Sequence, residues 1–164
     1  ARIPPSLPEP FQTALAVACG GWLSLLGEDL VSLVLFGSVA RGSARSDSDL
    51  DILVVARGFP RSLRDRRRPL IDLWQAFRSQ QELISVRWNL VTKTPEEARG
   101  HSPLYLDMVL DAVLLYDRDG FFATVLSEVR AGMQILGSHR VVLRDGSWYW
   151  DLKPDFRFGE IIEL

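Results

Sequence analysis

Two short apolar runs, joined by a polar segment that begins with Gly37 and Ser38, constrain the fold of this chain more than any other feature. The first run covers residues 30–36, and the second follows Asp49 and extends to Val55. Short apolar runs that are bounded by turn-forming residues are typical of buried strands. The stretch therefore predicts a strand, a tight turn, a short helix, a loop and a second strand.

Two carboxylates stand where the second of these strands begins. Asp49 and Asp51 are one residue apart, so their side chains project to the same side of the strand, about 7 Å apart along the backbone. Paired carboxylates supply the oxygen ligands that a divalent cation needs. The turn at Gly37 and Ser38 leads into a helix N-terminus, which favours phosphate oxygens. Metal ligands beside a phosphate seat indicate phosphoryl or nucleotidyl transfer.

The periodicity of the apolar residues predicts the remaining helices and strands. Thr94 and Pro95 mark a helix start, because a capping hydroxyl is followed by a proline in the first turn. We predict helices at residues 11–26, ending near 80, starting at 94, at 103–112 and at 121–136, further strands at 83–91 and 113–116, and a hairpin at 141–152.

This order of elements predicts an α/β (α+β) fold with a small mixed β-sheet and helices packed on one face. The chain has 164 residues, enough for one compact domain and not comfortably for two. We expect a single domain over residues 1–164, with a core at about residues 11–92 and a helical and hairpin extension at residues 93–164.

Charge and cysteine content narrow the classes of partner. The net charge of −2 and the pI of about 5.7 argue against broad binding to nucleic acid, which we do not expect as a partner. Cys19 is the single cysteine, which excludes an internal disulfide and favours a reducing compartment. The sequence has neither a run of roughly 18 apolar residues nor a signal-peptide pattern, so we expect no membrane span and a cytoplasmic location.

The segments GSVARG, beginning at Gly37, and SDSDLDILVV, ending at Val55, have a fixed spacing. Together they resemble the signature of the nucleotidyltransferase superfamily related to DNA polymerase β, and above all its minimal nucleotidyltransferases from bacteria and archaea. The resemblance implies the nucleotidyltransferase fold, a nucleoside triphosphate such as ATP as substrate, and Mg²⁺ or Mn²⁺ as cofactor.

The resemblance also implies roles for individual residues. Gly37 would let the backbone approach a phosphate, and Ser38 would donate a hydrogen bond to the β- or γ-phosphate. Asp49 and Asp51 would be the catalytic residues and the metal ligands, holding Mg²⁺ against phosphate oxygens.

Arg41, Gly42 and Ser48 lie inside the motif and would also belong to the nucleotide site. Arg41 would contact phosphate or pair with Asp47. An alternative is that Arg41 and Gly42 simply end the short helix, as a basic residue followed by a glycine stop.

The third strand departs from the family pattern. The family commonly carries there a carboxylate that acts as general base, and this chain has Asn89, an amide that cannot take up a proton at neutral pH. Arg87 adds positive charge on the same strand face. Three interpretations stay open: the register differs and Glu82 or another acid fills the role, the enzyme is slow or uses one metal, or the fold binds nucleotide without turnover.

We therefore predict a Mg²⁺-dependent nucleotidyltransferase that moves a nucleoside monophosphate to a hydroxyl acceptor. Small members of the family resemble the antitoxin half of toxin–antitoxin pairs, which implies a HEPN-type protein partner with a tyrosine acceptor. The alternative is a catalytically weak or inactive nucleotide- or partner-binding module of the same fold.

For the other candidate side chains, the sequence favours structural roles over functional ones. Five arginines between residues 61 and 68 form either a solvated helix face or a patch that steers a triphosphate or an RNA end. The histidines, His101 and His139, have no spaced partner for zinc. For the rest we expect solvated acids at Asp107 and Asp111, and hairpin packing rather than base stacking for Trp148, Tyr149 and Trp150.

Overall fold

The computed structural model describes residues 1–78, 86–100 and 102–162. Most elements lie where the sequence predicts them, and the first helix, first strand and last helix have the predicted bounds. The elements are α1 Phe11–Leu26, β1 Leu30–Phe36, α2 Gly37–Ala40, β2 Leu50–Ala56, α3 Leu63–Arg78, β3 Trp88–Lys93, α4 Pro95–Arg99, α5 Leu104–Asp111, β4 Val113–Asp117, α6 Phe121–Leu136, β5 His139–Val142 and β6 Trp148–Asp151.

The third strand differs from its predicted limits. The strand begins at Trp88 and runs to Lys93, later than the predicted 83–91. Residues 83–85 and the expected helix end near residue 80 lie outside the described residues.

The four longer strands form one mixed sheet in the order β3-β2-β1-β4. Strand β1 is antiparallel to β2 and β4, whereas β2 and β3 run parallel. Phe36 at the end of β1 is opposite Asp51, and Asp51 is opposite Asn89 of β3. The turn after β1 and the starts of β2 and β3 therefore meet at one edge of the sheet.

Helices cover both faces of this sheet, so the predicted α/β fold with a mixed sheet is confirmed, but the expected packing on one face is wrong. Helices α1 and α3 bury one face, and α4, α5 and α6 bury the other. The reason lies in the central strands, where Leu35 and Ile52 face α1 and α3 while Val34 and Leu53 face the opposite helices. Strands that are apolar on both faces need cover on both sides.

A cluster of three tryptophans fixes β3 to the helices of the first face. The Trp88 ring centroid lies 5.1 Å from that of Trp22 and 5.0 Å from that of Trp74, both in edge-to-face geometry. Trp22 Nε1 donates a hydrogen bond of 3.1 Å to the Leu70 carbonyl oxygen. The strand that presents Asn89 to the sheet edge is thus held by packed aromatic rings.

Arg66 does not belong to an exposed arginine face, which corrects the interpretation of the cluster at residues 61–68 for this residue. Its side chain is 5% exposed, and it donates to both carboxylate oxygens of Glu97, at 2.6 and 2.9 Å. Glu97 also forms a capping box with Thr94, the cap that the sequence predicts at the start of α4. The hydrogen bonds from Arg66 lower the pKa of Glu97 to about 2, helped by the bond from the Thr94 amide.

None of the helices in the described part of the chain is both long enough and apolar enough to cross a lipid bilayer.

Candidate active site

The site begins at Gly37, where the chain leaves β1. Gly37 has a φ of +74°, a conformation that residues with a side chain rarely adopt. A Cβ atom built on Gly37 would lie 2.0 Å from Asp51 Oδ2, far inside contact distance. Both the backbone and the adjacent carboxylate therefore require glycine here, and the missing side chain brings the turn against Asp51.

Helix α2 begins at Gly37 and is a single turn, so that Ser38 is its second residue, one position after the glycine that adjoins Asp51. Gly42 has a φ of +71°, and its amide donates to the Val39 carbonyl at 3.2 Å. This geometry supports the interpretation of Arg41 and Gly42 as a helix end. It does not test a nucleotide-binding role for either residue.

The Arg41 side chain extends toward the C-terminal hairpin of β5 and β6. Its guanidinium carbon lies 4.7 Å from the centroid of the Trp148 ring, in a cation–π contact. Burial raises the pKa of the Asp51 carboxyl group, and the nearby Arg41 charge offsets a small part of that rise. Arg41 thus lies between the hairpin and the carboxylates rather than on Asp47.

Ser48 organises the loop that precedes β2. Its hydroxyl accepts a hydrogen bond of 2.8 Å from the Arg45 amide, and its own amide donates to the Arg45 carbonyl at 3.0 Å. These bonds fix the short turn that delivers Asp49 to the sheet edge.

Each motif carboxylate is engaged by a residue of the segment that enters β3. Asp49 Oδ1 lies 2.8 Å from Arg87 Nε, and Asp51 Oδ1 accepts a hydrogen bond of 2.9 Å from Asn89 Nδ2. Burial raises the pKa of Asp51 and so does the charge of Asp49, whereas the bond from Asn89 and the Arg41 charge lower it. The charge of Asp49 therefore reaches Asp51, and both carboxylates lie where the motif loop enters β2.

The register of β2 and β3 puts Asn89 directly beside Asp51. Glu82, the acid considered as a replacement, lies outside the described residues. The position next to Asp51 is thus occupied by an amide, not a carboxylate.

The donor set fits a hard divalent cation that arrives with phosphate. Among the described residues, no group of three or more His, Cys, Asp or Glu side chains is arranged to hold a metal ion. Mg²⁺ typically needs only one or two carboxylates, because phosphate oxygens and water complete its shell. The residues that would hold such an ion are Asp49 and Asp51.

The sequence analysis did not predict how the β5–β6 hairpin attaches to α5 beside the site. Trp148 Nε1 and Trp150 Nε1 both donate to Asp107 Oδ1 of α5, at 3.2 and 3.0 Å. Asp111 forms an ion pair of 3.3 Å with Arg140 of β5. The expectation of solvated acids is therefore wrong, because both carboxylates dock the hairpin onto α5.

A signal for this docking was present in the sequence. Residues two apart on a strand share a face, so Trp148 and Trp150 had to present their indole donors together. The predicted packing of the hairpin is confirmed for Trp150, which joins the core beneath α5 and α6. The remaining candidates add nothing to the site: His139 is exposed, Cys19 is buried, and His101 lies outside the described residues.

A family model described as nucleotidyltransferase domain matches residues 22–116 of the chain. The chain belongs to the nucleotidyltransferase family. This membership confirms the family and the enzyme class that the motif predicts. The match contains the motif and the sheet, whereas α6 and the hairpin lie beyond it.

One curated relative, from Methanocaldococcus jannaschii, is by name a candidate protein adenylyltransferase. It is 34% identical over 104 residues, which are 63% of this chain and 70% of the relative.

Two solved structures of nucleotidyltransferase fold are also similar to the chain. One is a toxin–antitoxin with AMP-PNP, 21% identical over 73% of this chain and 90% of that chain, with a TM-score of 0.48. The other is a mutant of the toxin–antitoxin MntA-HpeT, 20% identical over 70% and 86%, with a TM-score of 0.45.

Proposed function

We propose that this nucleotidyltransferase moves a nucleoside monophosphate from a nucleoside triphosphate to a hydroxyl group, with Mg²⁺ or Mn²⁺, and that Asp49 and Asp51 are its catalytic residues. The observation that carries the proposal is the contact between the Gly37 turn and the Asp51 carboxylate. This contact supports a phosphate seat at Gly37 and a cation seat at Asp51 as parts of one site.

In the reaction, the acceptor oxygen forms a bond to the α-phosphorus while the bond from that phosphorus to the α,β-bridging oxygen breaks. Pyrophosphate leaves with the electron pair, and the hydroxyl proton passes to water. A bound divalent cation would neutralise charge on the phosphate oxygens. Asp49 and Asp51 would hold that cation, Gly37 would let the backbone approach the triphosphate, and Ser38 and Arg41 would bind its oxygens.

We infer that the acceptor is a tyrosine hydroxyl on a HEPN-type protein partner and that ATP is the donor. The motif's similarity to minimal nucleotidyltransferases of toxin–antitoxin pairs supports the partner. The name of the curated relative supports transfer of adenylyl groups to protein.

The test is incubation of the chain and its co-encoded partner with α-labelled ATP and Mg²⁺. We expect label on the partner, and loss of labelling in Asp49→Ala/Asp51→Ala. Asp72→Ala, which removes an exposed carboxylate paired with Arg68 on α3, should leave labelling intact. Unchanged labelling in the double variant would refute the assignment of the site.

A second candidate is a module that binds nucleotide or partner without turnover. The amide of Asn89 beside Asp51 favours it, because no described carboxylate stands there to accept a proton. Calorimetry with a non-hydrolysable triphosphate separates the candidates. Tight binding without labelled product on any acceptor would favour the module.

We further propose that residues beyond 92 extend the catalytic domain rather than form another. Helices α5 and α6 bury the second face of the same sheet, and the hairpin reaches back to Arg41. The cytoplasmic location stays a prediction from the sequence.

A further inference from the structure

We propose that Arg87 supplies, from the protein, the positive charge that a second metal ion would bring, so that this site works with one divalent cation. The inference rests on the proposed nucleotidyl transfer at Asp49 and Asp51. It adds a residue of the β3 segment to the working parts of the site.

The Arg87 guanidinium group lies at the carboxylate end of the site. Arg87 Nε lies 2.8 Å from Asp49 Oδ1, and Arg87 Nη2 donates to the Asp47 carbonyl oxygen at 2.7 Å. These two contacts hold the group against the loop that precedes β2. Arg87 is thus in direct contact with one of the two carboxylates that would ligate a cation.

The Arg87 side chain is not needed for core packing or for strand pairing. It is 68% exposed, so it contributes little to the core. Its backbone carbonyl already accepts the Leu50 amide at 2.9 Å, which joins β3 to β2 whatever the side chain is. Within the described part of the chain, the polar contacts of the charged group are with Asp47 and Asp49, so the charge stays at the site.

The carboxylate oxygens of Asp49 and Asp51 that remain free for a cation are few. Asn89 occupies one oxygen of Asp51, and Arg87 occupies one oxygen of Asp49. Two carboxylates that each give one oxygen to neighbours suit one cation better than two.

The charges of the site are already balanced before any cation binds. The carboxylates of Asp49 and Asp51 carry two negative charges, and the guanidinium groups of Arg41 and Arg87 carry two positive charges. A second divalent cation at Asp49 would meet a guanidinium already in contact with that carboxylate, and like charges at such range repel strongly. A single cation that arrives with the triphosphate adds no such conflict, and Arg87 is placed to meet the remaining phosphate charge.

The experiment counts bound Mn²⁺ per bound nucleotide, by electron paramagnetic resonance of free Mn²⁺ and parallel equilibrium dialysis of an α,β-methylene triphosphate. We expect one Mn²⁺ per nucleotide in the wild-type chain. Arg87→Gln/Asn89→Asp removes the cation and adds a carboxylate, and should bind two. Arg68→Gln, which removes an exposed arginine paired with Asp72 on α3, should still bind one.

Two Mn²⁺ per nucleotide in the wild-type chain would overturn the inference and leave the proposed transfer standing. One Mn²⁺ in the nucleotide-bound double variant would do the same. Failure of the wild-type chain to bind the nucleotide, or binding that survives Asp49→Ala/Asp51→Ala unchanged, would overturn the proposed function and the inference together.

Discussion

At the scale of single residues, glycine is required at position 37 because a Cβ atom there would clash with Asp51, and this requirement can be tested by substitution. In Gly37→Ala the new Cβ must displace the Asp51 carboxylate, which would lie 2.0 Å away. We expect nucleotidyl transfer to fall roughly 100-fold, because displacing a reacting group by about 1 Å has that order of effect. Stability should fall by about 1 kcal/mol, the cost of a side chain at positive φ.

Gly42→Ala is the matched control for Gly37→Ala. Gly42 has nearly the same φ, +71°, but no heavy atom lies within 4 Å of a Cβ built there. It should lose similar stability, measured by urea unfolding, with transfer unchanged. Equal losses of transfer in both variants would show that backbone strain, not contact with Asp51, matters.

At the same scale, the sequence predicted which residues meet but not how each is used. Gly37, Asp49, Asp51 and Asn89 follow from strand register, which apolar runs and spacing define well. The contact of Arg41 with Trp148 joins residues 107 positions apart, and no local pattern encodes such a pairing.

At the scale of elements, the β5–β6 hairpin should act on nucleotide binding through Arg41. Trp148 lies 4.7 Å from the Arg41 guanidinium, and a cation–π contact of about 0.5–1 kcal/mol corresponds to a roughly two- to five-fold change in affinity. We expect Trp148→Ala to raise KM for the triphosphate by that factor with kcat little changed, as measured by steady-state kinetics.

Two further variants separate the ring contact from general hairpin damage. Trp148→Phe keeps an aromatic face and should restore most of the affinity. Tyr149→Ala removes a neighbouring exposed ring and should leave KM as it is. A higher KM in Tyr149→Ala would argue against the specific role of Trp148.

The link between α3 and α4 makes a prediction about acid stability. Glu97 has a pKa lowered to about 2 by Arg66, from an ordinary value of 4.5. A lowered carboxyl pKa stabilises the fold above the unfolded value, and this stabilisation is lost as pH falls from about 4.5 toward 2. We expect Glu97→Gln to lose about 1 kcal/mol at pH 7, a modest value because the carboxylate is 46% exposed and solvent screens it.

The pH dependence separates this pair from other acids. Urea unfolding at pH 7 and at pH 3 should show the difference between wild type and Glu97→Gln shrinking at the lower pH. Glu96→Gln, on the same turn of α4, should reproduce only a smaller part of it, because hydrogen bonds from its own backbone amide and from the Thr94 side chain also lower the pKa of Glu96, but Arg66 does not contact it. A difference that is constant with pH would mean that lost packing, not the ion pair, explains the effect.

At the scale of the whole molecule, the tryptophan cluster should dominate stability. Trp22 is fully buried, packs against Trp88 and donates to the Leu70 carbonyl. We expect Trp22→Ala to lower the free energy of unfolding by about 3–5 kcal/mol, the range for large cavities in a core. Leu25→Ala, at a 47% exposed position of the same helix, should cost far less, and equal losses in urea unfolding would contradict the assignment of the core.

The sequence predicted the elements of the molecule better than their layering. The bounds of α1, β1 and α6 follow from local periodicity and from glycine stops such as Gly137, which adopts positive φ. Apart from Ser32 and Asp51, β1 and β2 are apolar, which indicates cover on both faces, but the sequence alone predicts the helices beyond Thr94 only as an extension of the core. The buried state of Arg66 could not be read locally, because its partner Glu97 is 31 residues away.

The parallel pairing of β2 with β3 has a consequence for the gene. Because Asn89 is the β3 residue paired with Asp51, the codon for residue 89 alone determines whether an acid or an amide faces Asp51. Codons for asparagine and aspartate differ by a single base, whereas replacing Arg87 as well requires a second, separate mutation. Lineages that carry this chain would therefore reach a third carboxylate in one mutational step, but would combine it with loss of the neighbouring cation only in two.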